Sequence, residues 1–416
     1  SPVLDVNSDP DNAIIGIRSL GEDPDAVSKL GAAMVRGYED SGAIACAKHF
    51  PGHGATKSDS HLELPVLDSN MEELEKTELA PFYKAIAARV PTIMTAHICF
   101  PAAVSDGLPA TLSSEILTGL LREKMGFKGV IITDCLEMNA IKEHFGSVPG
   151  AVASVKAGAD IVLLCHTLEL QKAAFEAIYN AVNNGEIPES QIDQSVRRIL
   201  HLKITRLHDT TRDQTNDQSL LAKVGCFDHI QVELKIARKS ITLLRNEEGI
   251  LPIQSERIGA LALIYPATMP LLRKEDLEDS ANILVEAIRT RCQALIEVKF
   301  QIPPTPEEIA NAVGACENAD VTIALTSSKT NIQGQAQGDL VNRLLKTGKP
   351  IVTVAMRNPY DLRAYPEAKT HLLTYGYRPC SIAALVEVLF GEVEPSGKLP
   401  VSIPGLARIG DGKLGY

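Results

Sequence analysis

The chain has 416 residues, 45% of them apolar and 22% charged, and carries a formal net charge of -11 at neutral pH. Its length exceeds the roughly 100–200 residues of a single domain, and its composition is that of a folded globular protein rather than a disordered one. The acidic balance argues against a nucleic-acid or anionic-membrane partner, which would select a basic face, and no apolar run reaches the ~18 residues needed to cross a bilayer.

Residues 1–205 alternate apolar runs with helical patterns. The runs are PVLDV (2–6), AIACAKH (43–49), PTIMTAH (91–97), GVIITD (129–134) and ADIVLLC (159–165). They are continuous rather than alternating, as in parallel strands buried on both faces. Helices are predicted over 24–41, 71–89, 113–125, 148–157, 168–184 and 189–207. Four of the five strands end in a polar group: Asp5, Lys48-His49, His97 and Asp134. A barrel gathers all its strand C-termini around one mouth. The expected fold class is therefore α/β, beginning with a (β/α)8 TIM-type barrel catalytic domain over 1–205. Only five of its strands are visible, so about three N-terminal strands are expected to be missing from this chain.

Residues 206–222, RLHDTTRDQTNDQSLLA, are polar and read as an interdomain linker. A second alternating series fills 223–416. Its strands are ITLLRN, GALALIYP, IEVKFQI, DVTIALTS, PIVTVAMR and HLLTYGY, separated by helices at 227–239, 273–291, 305–317, 336–347 and 379–390. This pattern predicts an α/β/α sandwich as the C-terminal domain.

The chemistry concentrates in two places. KHFPGHGATKSDSH (48–61) follows a strand and is too rich in Gly and Pro to be a helix. Three histidines, lysines and Asp59 crowd into it. A carboxylate such as Asp59 can hold one nitrogen of a nearby imidazole, here His61, and fix its tautomer for acid/base work. GVIITDCLEM (129–138) puts Asp134 at a strand's C-terminal end, where a barrel keeps its catalytic groups. A carboxylate there can attack an anomeric carbon. The residues alone leave Asp134 equally suited to capping the helix that follows, and Glu137 is a second carboxylate in the same loop. Arg18, Lys48, His49 and His97 stand around the same mouth and suit sugar hydroxyls or an acetamido oxygen. His49 and His53 are spaced i, i+4, but Pro51-Gly52 between them rules out one helical face for a metal, and no other metal spacing is present.

KHFPGHGATKSDSH resembles the signature of the β-N-acetylglucosaminidase (NagZ-like) branch of glycoside hydrolase family 3. IITDCLEM resembles that family's nucleophile strand, and IGIRSLGEDP its substrate-arginine loop. VGCFDHIQVELKIARKSITLLRNEEGILPI and LVEVLFGEVEPSGKLPVSIP resemble the start and end of its second domain. The resemblance implies a retaining enzyme that removes terminal β-linked N-acetylglucosamine without a cofactor. Asp134 would be the nucleophile, His61 the acid/base and Asp59 its orienting partner. Arg18, Lys48, His49 and, by extension, His97 would bind the sugar. An Asp-Gln-Glu-Gly-Gly-like segment of the family is absent, and Cys135 stands where an acidic residue is frequent.

Alternatives are a β-glucosidase or β-xylosidase of the same family, an N-acetylglucosaminide phosphorylase, a metal-dependent hydrolase using the histidines, and an inactive sugar-binding homologue. The expected partner is a small GlcNAc-containing glycoside; oligomeric state is not legible. The eight cysteines are scattered, no CxxC occurs and no N-x-S/T sequon is present, which favours a reducing, cytoplasmic compartment.

Overall fold

The structure is a computed structural model; it describes residues 1–12, 14–57, 63–206, 222–267 and 274–416, without the side chains of 274–279 and 331. Two compact units separate along the chain, Ser1–Asp213 and Gln214–Tyr416. The expected linker lies outside the described residues apart from Arg206 and Ala222.

The first unit contains a four-stranded parallel sheet in the order β1 (Cys46–Phe50), β2 (Thr92–Thr95), β3 (Val130–Cys135), β4 (Ile161–Leu163). The run PVLDV forms only a parallel bridge, Val3 to Lys48, with Leu4 N–H donating to the Lys48 carbonyl at 2.6 Å. Helices Pro24–Asp40, Glu115–Lys124, Ser147–Ala157, Leu168–Asn183 and Glu189–Arg206 stand close to their predicted places. The expected single helix over 71–89 is instead two, Met71–Lys76 and Ala80–Ala87. Pro81 has no N–H to continue a helix and is tolerated only in a first turn, so the chain breaks and restarts there. The core joins Leu4, Ala47, Phe50, Ile93 and Ile131 to Val35, Phe82 and Leu117 of the covering helices.

One buried ionic node ties β3 to β4 and to the Glu189–Arg206 helix. Asp160, whose side chain is fully buried, accepts from Arg122 Nη2, from Ile131 N–H at 2.8 Å, from Arg198 Nη1 at 2.8 Å and from Ser195 Oγ at 2.7 Å. All four lone-pair directions of the carboxylate are thus used, the condition under which a buried charge is tolerated.

The second unit contains a six-stranded mixed sheet. Its strands are β5 (Thr242–Asn246), β6 (Ala260–Pro266), β7 (Ala294–Phe300), β8 (Val321–Thr326), β9 (Ile351–Ala355) and β10 (Thr370–Leu373). The spatial order is β5-β10-β9-β8-β6-β7, all parallel except β5 against β10. Alternate residues face two separate cores. Leu261, Leu263, Ile323 and Val352 pack with Leu284, Ile288 and Leu385. Ile264, Ala324, Ile351 and Ala355 pack with Leu340, Val341 and Leu344 on the other face. Helices therefore cover both sides. The helix expected at 336–347 begins earlier, at Asn331, where the Thr330 hydroxyl caps Gln333 N–H.

Candidate active site

The site is built where the strands of the first unit end. Asp5, fully buried, follows the Val3 bridge. Its Oδ1 accepts the backbone N–H of His49 at 3.1 Å and of His53 at 2.8 Å, and its Oδ2 lies 2.8 Å from His49 Nδ1. Burial pushes this carboxyl up, but the charge and hydrogen bond of His49, with His53 and the backbone donors, overcome that and hold it below its ordinary value. His49 Nε2 stands 3.3 Å from Arg18 Nη2. Arg18 is exposed, and its Nη1 also reaches the Ile14 carbonyl at 3.3 Å.

The turn after β1 is held from both sides. Asn12 donates through Nδ2 to the His53 and Gly54 carbonyls at 2.8 and 3.1 Å and accepts from Ile14 and Ile15 N–H. A Cβ on Gly54 would sit 1.7 Å from the Val6 carbonyl oxygen, so no larger residue fits. Gly52 has φ +149° and lies against the Cβ and Cγ of Glu78. His53 Nδ1 meets Thr56 Oγ1 at 2.6 Å. Lys48 is half-buried on β1. Asp59 and His61 lie outside the described residues.

Glu78 is 4% exposed beneath this turn, and burial raises its carboxyl to about 7, with Glu73 and Asp5 adding repulsion. A carboxyl raised in the folded state stabilises below its unfolded value near 4.5 and loses that contribution as pH rises to about 7. Glu78→Gln is therefore expected to gain stability over the parent chain as pH goes from 5 to 8, by at most about 3 kcal/mol. Urea midpoints measured at the two pH values check this; a difference between the chains that stays constant with pH would refute it.

His97, after β2, is fully buried. Its Nε2 donates to the Cys135 carbonyl at 3.0 Å, and its Nδ1 lies 2.8 Å from Thr111 Oγ1. Burial lowers its pKa to about 4 against the opposing pull of Asp134, so it is neutral at physiological pH and accepts from the Thr111 hydroxyl. Both nitrogens are thus occupied in bracing the end of β2 against the end of β3. The charges of Asp134, His53 and His49 all act on this ring, so these four side chains share one neighbourhood.

Asp134 is half-buried at the end of β3, and its only hydrogen bond among the described residues is the N–H of Cys135, at 2.7 Å from Oδ1. It does not cap a helix. Glu137, the competing carboxylate, is committed elsewhere: it accepts from the Thr167 side chain and from His166 N–H at 2.7 Å, contacts that hold its pKa below normal. Asp134 is the carboxylate left available. Asp5 and Asn12 had no assigned role in the sequence reading. Asp5 was visible as a polar end to an apolar run; Asn12 carries no comparable signal. Among the described residues no three His, Cys, Asp or Glu side chains are placed to share a metal ion, all eight cysteines are free, and no helix is long and apolar enough to cross a membrane.

A parallel-sheet unit with carboxylates and imidazoles at its strand ends, followed by a mixed-sheet unit, defines a two-domain α/β architecture. Residues 1–202 match the glycosyl hydrolase family 3 N terminal domain and residues 241–410 match the family's C-terminal domain. The structure of a glycoside hydrolase family 3 beta-N-acetylglucosaminidase from Paenibacillus sp. str. FPU-7 aligns with TM-score 0.84 at 37% identity, over 96% of this chain and 75% of that one. A fungal multi-domain GH3 beta-N-acetylglucosaminidase aligns with TM-score 0.88 at 33% identity over 98% of this chain, which spans 47% of that longer protein. Beta-hexosaminidase A of Pseudoalteromonas piscicida is 29% identical over 97% of this chain and 73% of its own length. The chain belongs to glycosyl hydrolase family 3.

Proposed function

We propose that this protein is a retaining exo-β-N-acetylglucosaminidase acting through a covalent glycosyl-enzyme. The observation that carries the reading is the pair of carboxylates after β3: Asp134 is half-buried and, among the described residues, bonded to one backbone N–H, whereas Glu137 is tied to the 165–167 loop. Asp134 attacks C1 while His61 protonates the leaving oxygen; His61 then deprotonates water, and the β configuration is retained. Asp59 orients His61. An imidazole with an ordinary pKa of ~6.5 needs little tuning for this work. Arg18 and Lys48 contact the sugar, His49 serves the same subsite through its contact with Arg18, and His97 stands beside the nucleophile's strand.

Residues 1–205 are read as a (β/α)8 barrel, 206–222 as the linker and 223–416 as an α/β/α sandwich. The all-parallel order of β1 to β4 and the polar strand ends support the barrel. Further strands would pair at β4 and at the Val3 bridge. The names of the relatives support N-acetylglucosamine as the sugar. Hydrolysis of p-nitrophenyl β-N-acetylglucosaminide is expected to exceed that of the β-glucoside by about tenfold or more in kcat/KM, since a site that pairs with the acetamido group leaves polar groups unpaired without it. Equal or reversed rates would overturn the substrate assignment.

A further inference from the structure

We infer that Asp5 is a positioning residue that fixes His49 as its Nδ1–H tautomer and so presents an acceptor, Nε2, to Arg18. The inference rests on the glycosidase reading for its functional meaning, but its structural content stands apart. A carboxylate oxygen can only accept, and a guanidinium can only donate. With Asp5 Oδ2 at 2.8 Å from Nδ1 and Arg18 Nη2 at 3.3 Å from Nε2, one protonation state satisfies both contacts: hydrogen on Nδ1, a lone pair on Nε2. A doubly protonated ring would set N–H against N–H at Arg18, and the Nε2–H tautomer would also set a lone pair against the carboxylate.

The Asp5 rotamer is itself determined. Its other oxygen is fixed by the N–H groups of His49 and His53 at 3.1 and 2.8 Å, and its complete burial prevents water from substituting for either contact. The result is a relay in which a carboxylate orients an imidazole and the imidazole orients a guanidinium. Arg18 is exposed, so its remaining N–H groups are those free to donate. Within this subsite His49 is therefore not the donor to a sugar oxygen; Arg18 is, with its direction set two residues away by Asp5.

The decisive measurement is the tautomer. Long-range ¹⁵N–¹H spectra of the full chain labelled at histidine, with His49 assigned by its loss in a His49→Gln variant, are expected to show that the neutral His49 ring carries its proton at Nδ1 and is bare at Nε2. In Asp5→Asn the two backbone donors retain the amide oxygen, the amide NH₂ faces Nδ1, and the proton should move to Nε2. The KM for the N-acetylglucosaminide should then rise about tenfold or more, as for loss of a charge-assisted hydrogen bond. Adding Arg18→Ala to Asp5→Asn should cost less than it does in the parent chain, because both act on one contact. An Nε2–H tautomer in the unmodified chain, or an unchanged tautomer in Asp5→Asn, would overturn the inference. If Asp5→Asn does not fold, the spectrum of the unmodified chain still decides. If no glycoside is turned over, the glycosidase reading fails while the tautomer result remains interpretable.

Discussion

Asp134→Ala is expected to lower kcat for p-nitrophenyl β-N-acetylglucosaminide by a factor on the order of 10⁴ or more, the scale seen when a covalent catalytic residue is removed. The fold should survive, because Asp134 is half-buried and, among the described residues, anchors one backbone N–H. Azide added to the variant is expected to restore turnover by attacking C1 directly. A single displacement from the face opposite the leaving group gives the α-glycosyl azide, the reverse of the retained outcome of two displacements. Stopped-time assays and product NMR read both effects. Glu137→Ala is the control; it should free the 165–167 loop, with a much smaller loss. If Glu137→Ala is the dead variant and Asp134→Ala is active, the assignment is reversed.

Asp160→Ala should destabilise the first unit by about 3–5 kcal/mol, the usual result of removing one partner of a buried ion pair. The loss comes chiefly from what remains. Arg122, with 12% of its side chain exposed, keeps its contacts to the Phe127 and Gly129 carbonyls but loses its counter-ion, and Ile131 N–H loses its side-chain acceptor. Chemical denaturation with two spectroscopic probes would resolve the two units. The midpoint of the first unit should fall while that of the second stays. A shift below about 1 kcal/mol would show that water replaces the carboxylate and would refute the prediction.

Much of this architecture was legible because strand and helix periods are local. All six strands of the second unit and four of the five expected in the first overlap their apolar runs, with β1, β3, β7 and β10 overrunning them by one or two residues. The exceptions have local physical causes. PVLDV has the composition of a strand but meets β1 at one bridge. Pro81 divides a pattern that amphipathicity alone would run together. The helix expected at 336–347 starts five residues earlier, at Asn331, where the Thr330 hydroxyl accepts from Gln333 N–H. At the site, residue types and strand ends pointed to Asp134, Arg18 and His49. The distinction between Asp134 and Glu137 could not be read, because it depends on which carboxylate the 165–167 loop engages. His97 was expected to bind the sugar; that its ring nitrogens meet Thr111 Oγ1 and the Cys135 carbonyl could not be read from the sequence. Asp5 needed the fold, since its partners are 44 and 48 residues away.

That separation has a consequence for the order of events during folding. The helices and the turn at 51–54 can form from neighbours in sequence, whereas the Asp5 contacts require closure of a loop more than forty residues long, whose entropic cost must be met before the contact contributes. The Asp5 contacts to His49 and His53 are therefore expected late in refolding. In a refolding time course, helical signal should return first. Protection of the His49 and His53 amides from hydrogen exchange should follow together, since a single carboxylate oxygen receives both.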